Sequence, residues 1–398
     1  MSSPSPRVVI VGGCGHVGLP LGIALASRGA DVVLQDLSVR ATAMVAAGTL
    51  PFDEPGAQPM LDAALASGHL RTTTDPSPVA DADVVVVVIG TPVDEHLNPD
   101  PSSLPRALAA CAPHLHDGQL IILRSTVYPG VTALIEQMVK NRGLKVDVAF
   151  CPERIAEGRA MTELFSLPQI VSAREERVLV RAEEFFSLLT DQTVRLEPEE
   201  AELAKLFTNA WRYLKFAAVN QFYMIADSKG LDFARIQEGL VRDYPRAADM
   251  PGPGYAAGPC LFKDTMQLAA FNDNNFQLGH AAMLVNEGLP LHVLSTLDDR
   301  VGLAGKTVGI LGMAFKAGSD DTRSSLSYKL KRILEFRAGA VLCTDPYVTS
   351  DPGLVPLEQV LAQADVLVVG APHEAYQGLA VNQPFADVWG VLKAAVAQ

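Results

Sequence analysis

Five cysteines in 398 residues, Cys14, Cys111, Cys151, Cys260 and Cys343, are too few and too irregularly spaced for a disulfide framework or a Cys/His metal site. They read as reduced thiols, so a cytoplasmic setting and no metal are expected. No hydrophobic run approaches the ~18 residues of a membrane span. The longest, such as Val84 to Ile89, have the length of buried strands. A net charge of −13 without any Lys/Arg run argues against nucleic acid or an anionic membrane as partner, while leaving room for a local basic pocket. The opening MSSPSPR lacks an apolar signal core and reads as a short disordered lead.

The length exceeds what one core accommodates and implies two or three domains. Residues 7 to 36 read RVVIVGGCGHVGLPLGIALASRGADVVLQD. That is a strand, a glycine-rich turn, a helix of small residues stopped at Gly29, and a second strand ending in Asp36. Gly13, Gly15 and Gly18 fit G-x-G-x-x-G in the context the pattern requires, where glycine permits the turn, close approach of a pyrophosphate and tight helix packing. Asp36 can bond a ribose 2′-hydroxyl and would repel a 2′-phosphate, which favours NAD over NADP; Arg40 nearby tempers that preference.

The alternation continues with a strand at Ala82 to Ile89, a helix at Ser102 to Ala112, a strand at Leu120 to Leu123, a helix at Thr132 to Asn141 and a strand at Val146 to Phe150. Strands alternating with helices predict a parallel, doubly wound sheet with ligands beyond the carboxyl ends of its strands. The turns there are GTP (Gly90 to Pro92), STVYPG (Ser125 to Gly130) and CPERIAEG (Cys151 to Gly158), which place Thr91, Thr126, Glu153 and Glu157 on one rim. Ordinary capping for the threonines and a solvated loop for the glutamates are the competing readings.

Pro198 to Lys229 starts with proline and acids, keeps apolar residues at helical spacing and stops at Gly230, which predicts one long helix. Lys205 and Asn209, four apart, share a face, although Lys205 could equally be a snorkelling surface lysine. Met250 to Asp264, MPGPGYAAGPCLFKD, places Cys260, Lys263 and Asp264 behind a turn-rich approach. A lone cysteine is commonly a small buried hydrophobe, and it competes here with a nucleophile. From Gly305 a second α/β unit follows: KTVGILGMAF as strand and turn, Ser324 to Phe336 as helix, and AVLCTDPY as a strand ending in Asp345. It lacks G-x-G-x-x-G and so is not expected to hold a second dinucleotide. Lys316 and Arg323 can meet phosphate or carboxylate there, or form surface ion pairs.

These motifs, taken in order with STVYPG, PERIAEG, ELAKLFTN, GPCLFKD and GMAFKAGSDDTRSS, resemble the UDP-glucose/GDP-mannose dehydrogenase family from Arg7 to about Ala371. The resemblance implies two Rossmann-like domains, 1–197 for NAD and 301–398 for the nucleotide sugar, joined by a helical region, 198–300, that dimerises and carries the cysteine. It implies oxidation of the C6 primary alcohol of a nucleotide sugar to a carboxylate with two NAD, by a homodimer or larger homo-oligomer. Cys260 would be the nucleophile, Lys205 and Asn209 the oxyanion donors, and Glu153 and Asp264 the residues that order or activate water, with Glu153 serving thioester hydrolysis. Thr91, Thr126, Glu157, Lys263 and Arg323 would contact NAD, Lys316 the sugar nucleotide, and Arg246 the substrate of a neighbouring subunit.

Two departures stand out. Ala256-Ala257 replaces the family's usual Gly-Gly, and the acidic loop combines PER, which resembles the N-acetylated UDP-sugar branch, with Glu157-Gly158, which resembles the UDP-glucose branch. A two-electron β-hydroxyacid dehydrogenase and a catalytically silent nucleotide-sugar-binding protein are the alternatives.

Overall fold

The computed structural model describes residues 5–91, 94 and 100–395. The chain divides into two compact units, Met1–Thr208 and Asn209–Gln398. In the first, β1 (Arg7–Val11), β2 (Asp31–Gln35), β3 (Leu70–Thr73), β4 (Val84–Val87), β5 (Leu120–Leu123), β6 (Asp147–Phe150), β7 (Gln169–Ser172) and β8 (Thr193–Leu196) form one sheet, in the order β3-β2-β1-β4-β5-β6-β7-β8. Around it lie α1 (Gly18–Ser27), α2 (Val39–Ala46), α3 (Ala57–Ala66), α4 (Ser103–Cys111), α5 (Val131–Asn141), α6 (Ala160–Ser166) and α7 (Glu176–Phe186).

Strand alternation divides the apolar side chains between two cores. Val8 and Ile10 join Leu19, Leu34 and Leu61, whereas Val9 and Val11 join Val85, Leu108 and Ile135. With both faces covered, β4 and β5 are apolar throughout, which is why they read as uninterrupted runs. The first six strands are parallel, as expected. β7 departs from that expectation: it pairs antiparallel with β6, Phe150 opposite Ser172, and β8 then runs parallel to β7. The chain leaves β6 through the PERIAEG loop and α6 and re-enters the sheet from the end at which β6 finished, which makes the pairing antiparallel.

Helix α8 (Pro198–Asp227) starts with Pro198 and two acids in its first turn, both favourable at a helix N-terminus. Glu202 is buried and accepts from the backbone N–H of Gly130 at 2.7 Å and of Thr132 at 2.8 Å, so α8 caps α5. Thirty residues give a rod of ~45 Å.

The second unit continues with α9 (Phe233–Val241), α10 (Leu261–Phe271) and α11 (Gln277–Val301), then β9 (Thr307–Leu311), α12 (Leu326–Arg337), β10 (Ala340–Thr344), α13 (Leu357–Gln363) and β11 (Val366–Val369). Short strands β12 (Ala380–Val381), β13 (Phe385–Ala386) and β14 (Lys393–Ala394) complete it. β10-β9-β11-β13 form a parallel sheet, and β12 pairs with β14. Leu294 and Leu297 of α11 share a core with Val308, Ile310, Leu330 and Leu334, which fuses the helical region to this sheet. Among the described residues no helix is long and apolar enough to cross a membrane.

Candidate active site

The glycine turn between β1 and α1 is fixed from both sides. Gly12 and Gly13 donate to the carbonyl of Gln35 at 2.8 and 3.0 Å, and Cys14 N–H donates to Asp36 Oδ2 at 3.0 Å. A Cβ on Gly13 or Gly18 would lie 2.7 or 2.6 Å from backbone oxygens, so packing alone requires glycine at both. Gly15 differs. A Cβ there would meet nothing closer than 3.9 Å, so its missing side chain leaves room outside the protein rather than inside it. That space belongs to a cavity of about 460 Å³ lined by Gly12, Gly15, Asp36, Leu37, Pro76 and Gly90. A pyrophosphate at the turn and a ribose on Asp36 fit it, with the exposed Leu37 beside them to cover an apolar ring. Arg40 is exposed on α2. Gly12, which lies outside the sequence pattern, has φ +79, and a Cβ would fall 2.0 Å from the carbonyl oxygen of Val88.

At the neighbouring strand ends, Thr91 Oγ1 donates to the carbonyl of Thr126 at 2.6 Å, and the buried Ser125 hydroxyl accepts from Ile89 N–H at 2.8 Å. The two threonines are thus brought together; Pro92 of the GTP turn lies outside the described residues. Glu153 is buried. Its Oε1 accepts from the N–H groups of Arg154 and Ile155 at 2.7 and 3.0 Å, and its Oε2 is bonded by Arg124. Arg124, fully buried, also donates to the Cys151 carbonyl at 3.1 Å and to Gln169 Oε1 at 2.9 Å, and stacks 4.8 Å from the Phe186 ring centroid. Glu157 sits 3.4 Å from His16 Nδ1, at the edge of the glycine turn, and Glu54 accepts from Gly158 and Ala160 N–H to hold that loop.

In the second unit Cys260 occupies the N-terminal cap of α10, whose first-turn N–H groups favour negative charge on the sulfur. It is exposed, whereas the other four cysteines are buried. Burial pushes the Cys14 and Cys151 thiols up to about 12 and Cys343 to about 11, which keeps them protonated and inert. One turn on, the buried Asp264 accepts from Asn209 Nδ2 at 2.5 Å and from Lys263 Nζ at 2.5 Å. Lys205 is half-buried one turn before Asn209 on α8.

Ala256 is buried with Tyr213, Ala217, Leu261 and Ala282, so its methyl group fills a core. The position that demands glycine is Gly258, with φ +96 and a prospective Cβ 2.6 Å from the Phe315 ring.

The loop after β9 carries Lys316, whose Nζ lies 5.6 Å from the Phe315 ring centroid, and Arg323, whose guanidinium grips the buried Asp321 at 2.6 to 3.0 Å. It touches the cysteine segment directly: Gly258 N–H donates to the Ser324 carbonyl at 3.3 Å. Asp345 ends β10 as Asp36 ends β2, yet its carboxylate is sealed in. It accepts from Met313, Ala314, Tyr347 and Val348 N–H and meets His373 Nε2 at 3.0 Å, leaving no acceptor for a ribose. Arg246 stands apart, exposed on a short turn against Tyr244.

Sequence reasoning passed over Gly12, His16, Glu54 and Arg124. Only Gly12 carried a local signal, as the first of the paired glycines.

Residues 7–190, 199–288 and 309–394 match, respectively, the NAD binding domain, the central domain and the UDP binding domain of the UDP-glucose/GDP-mannose dehydrogenase family. A UDP-N-acetyl-D-mannosamine dehydrogenase of Pyrococcus horikoshii is 30% identical over 387 residues, 94% of this chain and 91% of that protein. An NDP-N-acetyl-D-galactosaminuronic acid dehydrogenase of Ralstonia nicotianae is 28% identical over 399 residues, 94% and 92% of the two chains. The structure of a UDP-glucose dehydrogenase from Pyrobaculum islandicum superposes with a TM-score of 0.89 at 26% identity, covering 99% of this chain and 97% of that one. Three consecutive domain matches along one chain, with the glycine turn and its cavity in the first, establish that the chain belongs to the UDP-glucose/GDP-mannose dehydrogenase family of NAD-dependent nucleotide-sugar dehydrogenases.

Proposed function

We propose that the chain oxidises the C6 primary alcohol of a UDP-hexose or UDP-N-acetylhexosamine to the uronic acid, with Cys260 holding the intermediate covalently. The observation that carries this reading is the exposed Cys260 thiol at the start of α10, one turn from Asp264, whose buried carboxylate binds the buried Asn209 and the part-buried Lys263. NAD, when bound, accepts one hydride in each of two oxidations, so one alcohol and one water give one carboxylate and two NADH.

The thiolate of Cys260 adds to the C6 aldehyde, and loss of the second hydride from that thiohemiacetal leaves a thioester. Lys205 and Asn209 donate to the oxygen that becomes negative in the tetrahedral species, each worth ~10²- to 10³-fold. Glu153 and Asp264 order and activate the water that hydrolyses the thioester and returns the Cys260 thiolate. Gly13, Gly15, Gly18 and Asp36 hold NAD with Arg40, Thr91, Thr126, Glu157, Lys263 and Arg323, while Lys316 meets the nucleotide. Residues 1–197, 198–300 and 301–398 divide these tasks as cofactor, helical and nucleotide-sugar parts.

A homodimer or larger homo-oligomer assembled through α8 is supported by Phe207, Trp211, Phe222 and Ile225, which lie on one stripe of the helix and are all about half exposed. NADH formation across a panel of UDP- and GDP-sugars, with the acid identified by mass, tests the reading. Turnover of a UDP-hexose or UDP-N-acetylhexosamine supports it; oxidation of none, or a ketone as product, contradicts it.

A further inference from the structure

We propose that Asn220, supported by Asn286, is a positioning residue for Cys260: a buried amide clamp that sets where the cysteine segment leaves the helical core. The inference rests on the nucleophilic reading of Cys260. Between α9 and α10 the chain has no regular element beyond the turn Pro245–Ala247, so its backbone polar groups need other partners. At Gly254 both are taken by one side chain. Asn220 Oδ1 accepts from Gly254 N–H at 2.9 Å, and Asn220 Nδ2 donates to the Gly254 carbonyl at 2.9 Å.

The second Nδ2 hydrogen goes to Asn286 Oδ1 at 2.9 Å, and Asn286 Nδ2 donates to the Tyr213 carbonyl at 3.1 Å. Both asparagines are completely buried and bridge α8 to α11. No other side chain of this length offers an acceptor and two donors. Aspartate would turn an oxygen toward the Gly254 carbonyl and Asn286 Oδ1, and serine lacks the reach.

Gly254 also abuts Trp389, whose Nε1 would lie 2.3 Å from a Cβ there. Tyr255 packs edge-on against the same indole, with ring centroids 4.9 Å apart, Ala256 fills the core, and Gly258 abuts Phe315 and Ser324. The segment from Gly254 to Cys260 is therefore packed almost continuously. Displacement at its anchor reaches the sulfur instead of dissipating in a loose loop, and ~1 Å of misplacement costs on the order of 10²-fold in rate.

Asn220→Ala and Asn286→Ala are compared with the parent and with Cys260→Ala by thermal unfolding, NADH binding, kcat and KM, and the rate of iodoacetamide alkylation. Because the other four cysteines are buried, alkylation of the folded protein reports Cys260. A folded Asn220→Ala should bind NADH normally, lose roughly 10- to 100-fold in kcat with KM little changed, and alkylate about threefold faster or more as the thiol is released. Parental kcat and parental alkylation in folded Asn220→Ala would overturn the clamp. Should that variant not fold, Asn286→Ala decides on the same readouts; failure of both to fold would make the pair structural only. Normal acid formation by Cys260→Ala would sink the nucleophile reading instead, and the alkylation rates would still judge the clamp.

Discussion

The side-chain amide of Asn209 donates to Oδ2 of Asp264 at 2.5 Å, while Lys263 occupies Oδ1 of the same carboxylate at 2.5 Å. This pairing orients the Asn209 amide, and Lys263 supplies the cation opposite the buried Asp264. Asn209→Ala is expected to lose ~10²- to 10³-fold in kcat with a small change in KM, because an oxyanion donor makes its best contact in the transition state. Steady-state kinetics check this, and a loss confined to KM would assign Asn209 to ground-state binding.

Arg124 supplies the charge opposite the buried Glu153. Arg124→Ala leaves that carboxylate buried without its cation, and a loss of about 3–5 kcal/mol in urea denaturation is expected. Replacing both partners together, Arg124→Met with Glu153→Gln, should recover much of that stability while activity stays low, since the acidic loop then lacks its carboxylate.

Burial alone would raise the Asp345 carboxyl, but the bond to His373 and the backbone N–H groups of Ala314 and Tyr347 outweigh it and hold it at about 2, below the ordinary 3.8. A lowered native value means stability that is complete above the unfolded value and lost as pH falls through the folded one. Asp345→Asn should therefore be less stable than the parent above pH ~4, with the gap closing between there and pH ~2. A gap that is constant with pH across that window would show that the charge contributes nothing.

Arg246 is exposed and rests on Tyr244, consistent with the proposal that it serves the substrate of a neighbouring subunit. Mixed dimers of Arg246→Ala and Cys260→Ala should regain activity at hybrid sites that neither homodimer possesses. Verified mixed dimers without any gain would place Arg246 outside catalysis.

What the sequence made legible follows from range. Gly13, Gly18 and Asp36 lie within one βαβ unit, and β4 and β5 are apolar because both faces are covered, so local pattern suffices for each. The reversed β7 was hidden because its direction depends on where the chain re-enters after the PERIAEG loop, not on its own residues. Arg124, Glu54 and Asn220 were hidden for a related reason. Each acts on backbone or carboxylate far along the chain, Asn220 on Gly254 and Glu54 on Gly158, and a single polar residue in an apolar stretch does not announce its partner. Where Ala256-Ala257 departs from the family's Gly-Gly, packing shows Ala256 to be a core contact and Gly258 the glycine the turn requires, which no local pattern tells apart.

The central claim is that Cys260 holds the aldehyde so that a second hydride can leave. NADH counted against product identified by mass tests it most directly. The parent should form two NADH per uronic acid, and Cys260→Ala, with its cofactor cavity and Asn209 intact, should lose acid formation by several orders of magnitude as the covalent route disappears. One NADH per released aldehyde from the parent, or near-normal acid from Cys260→Ala, would contradict it.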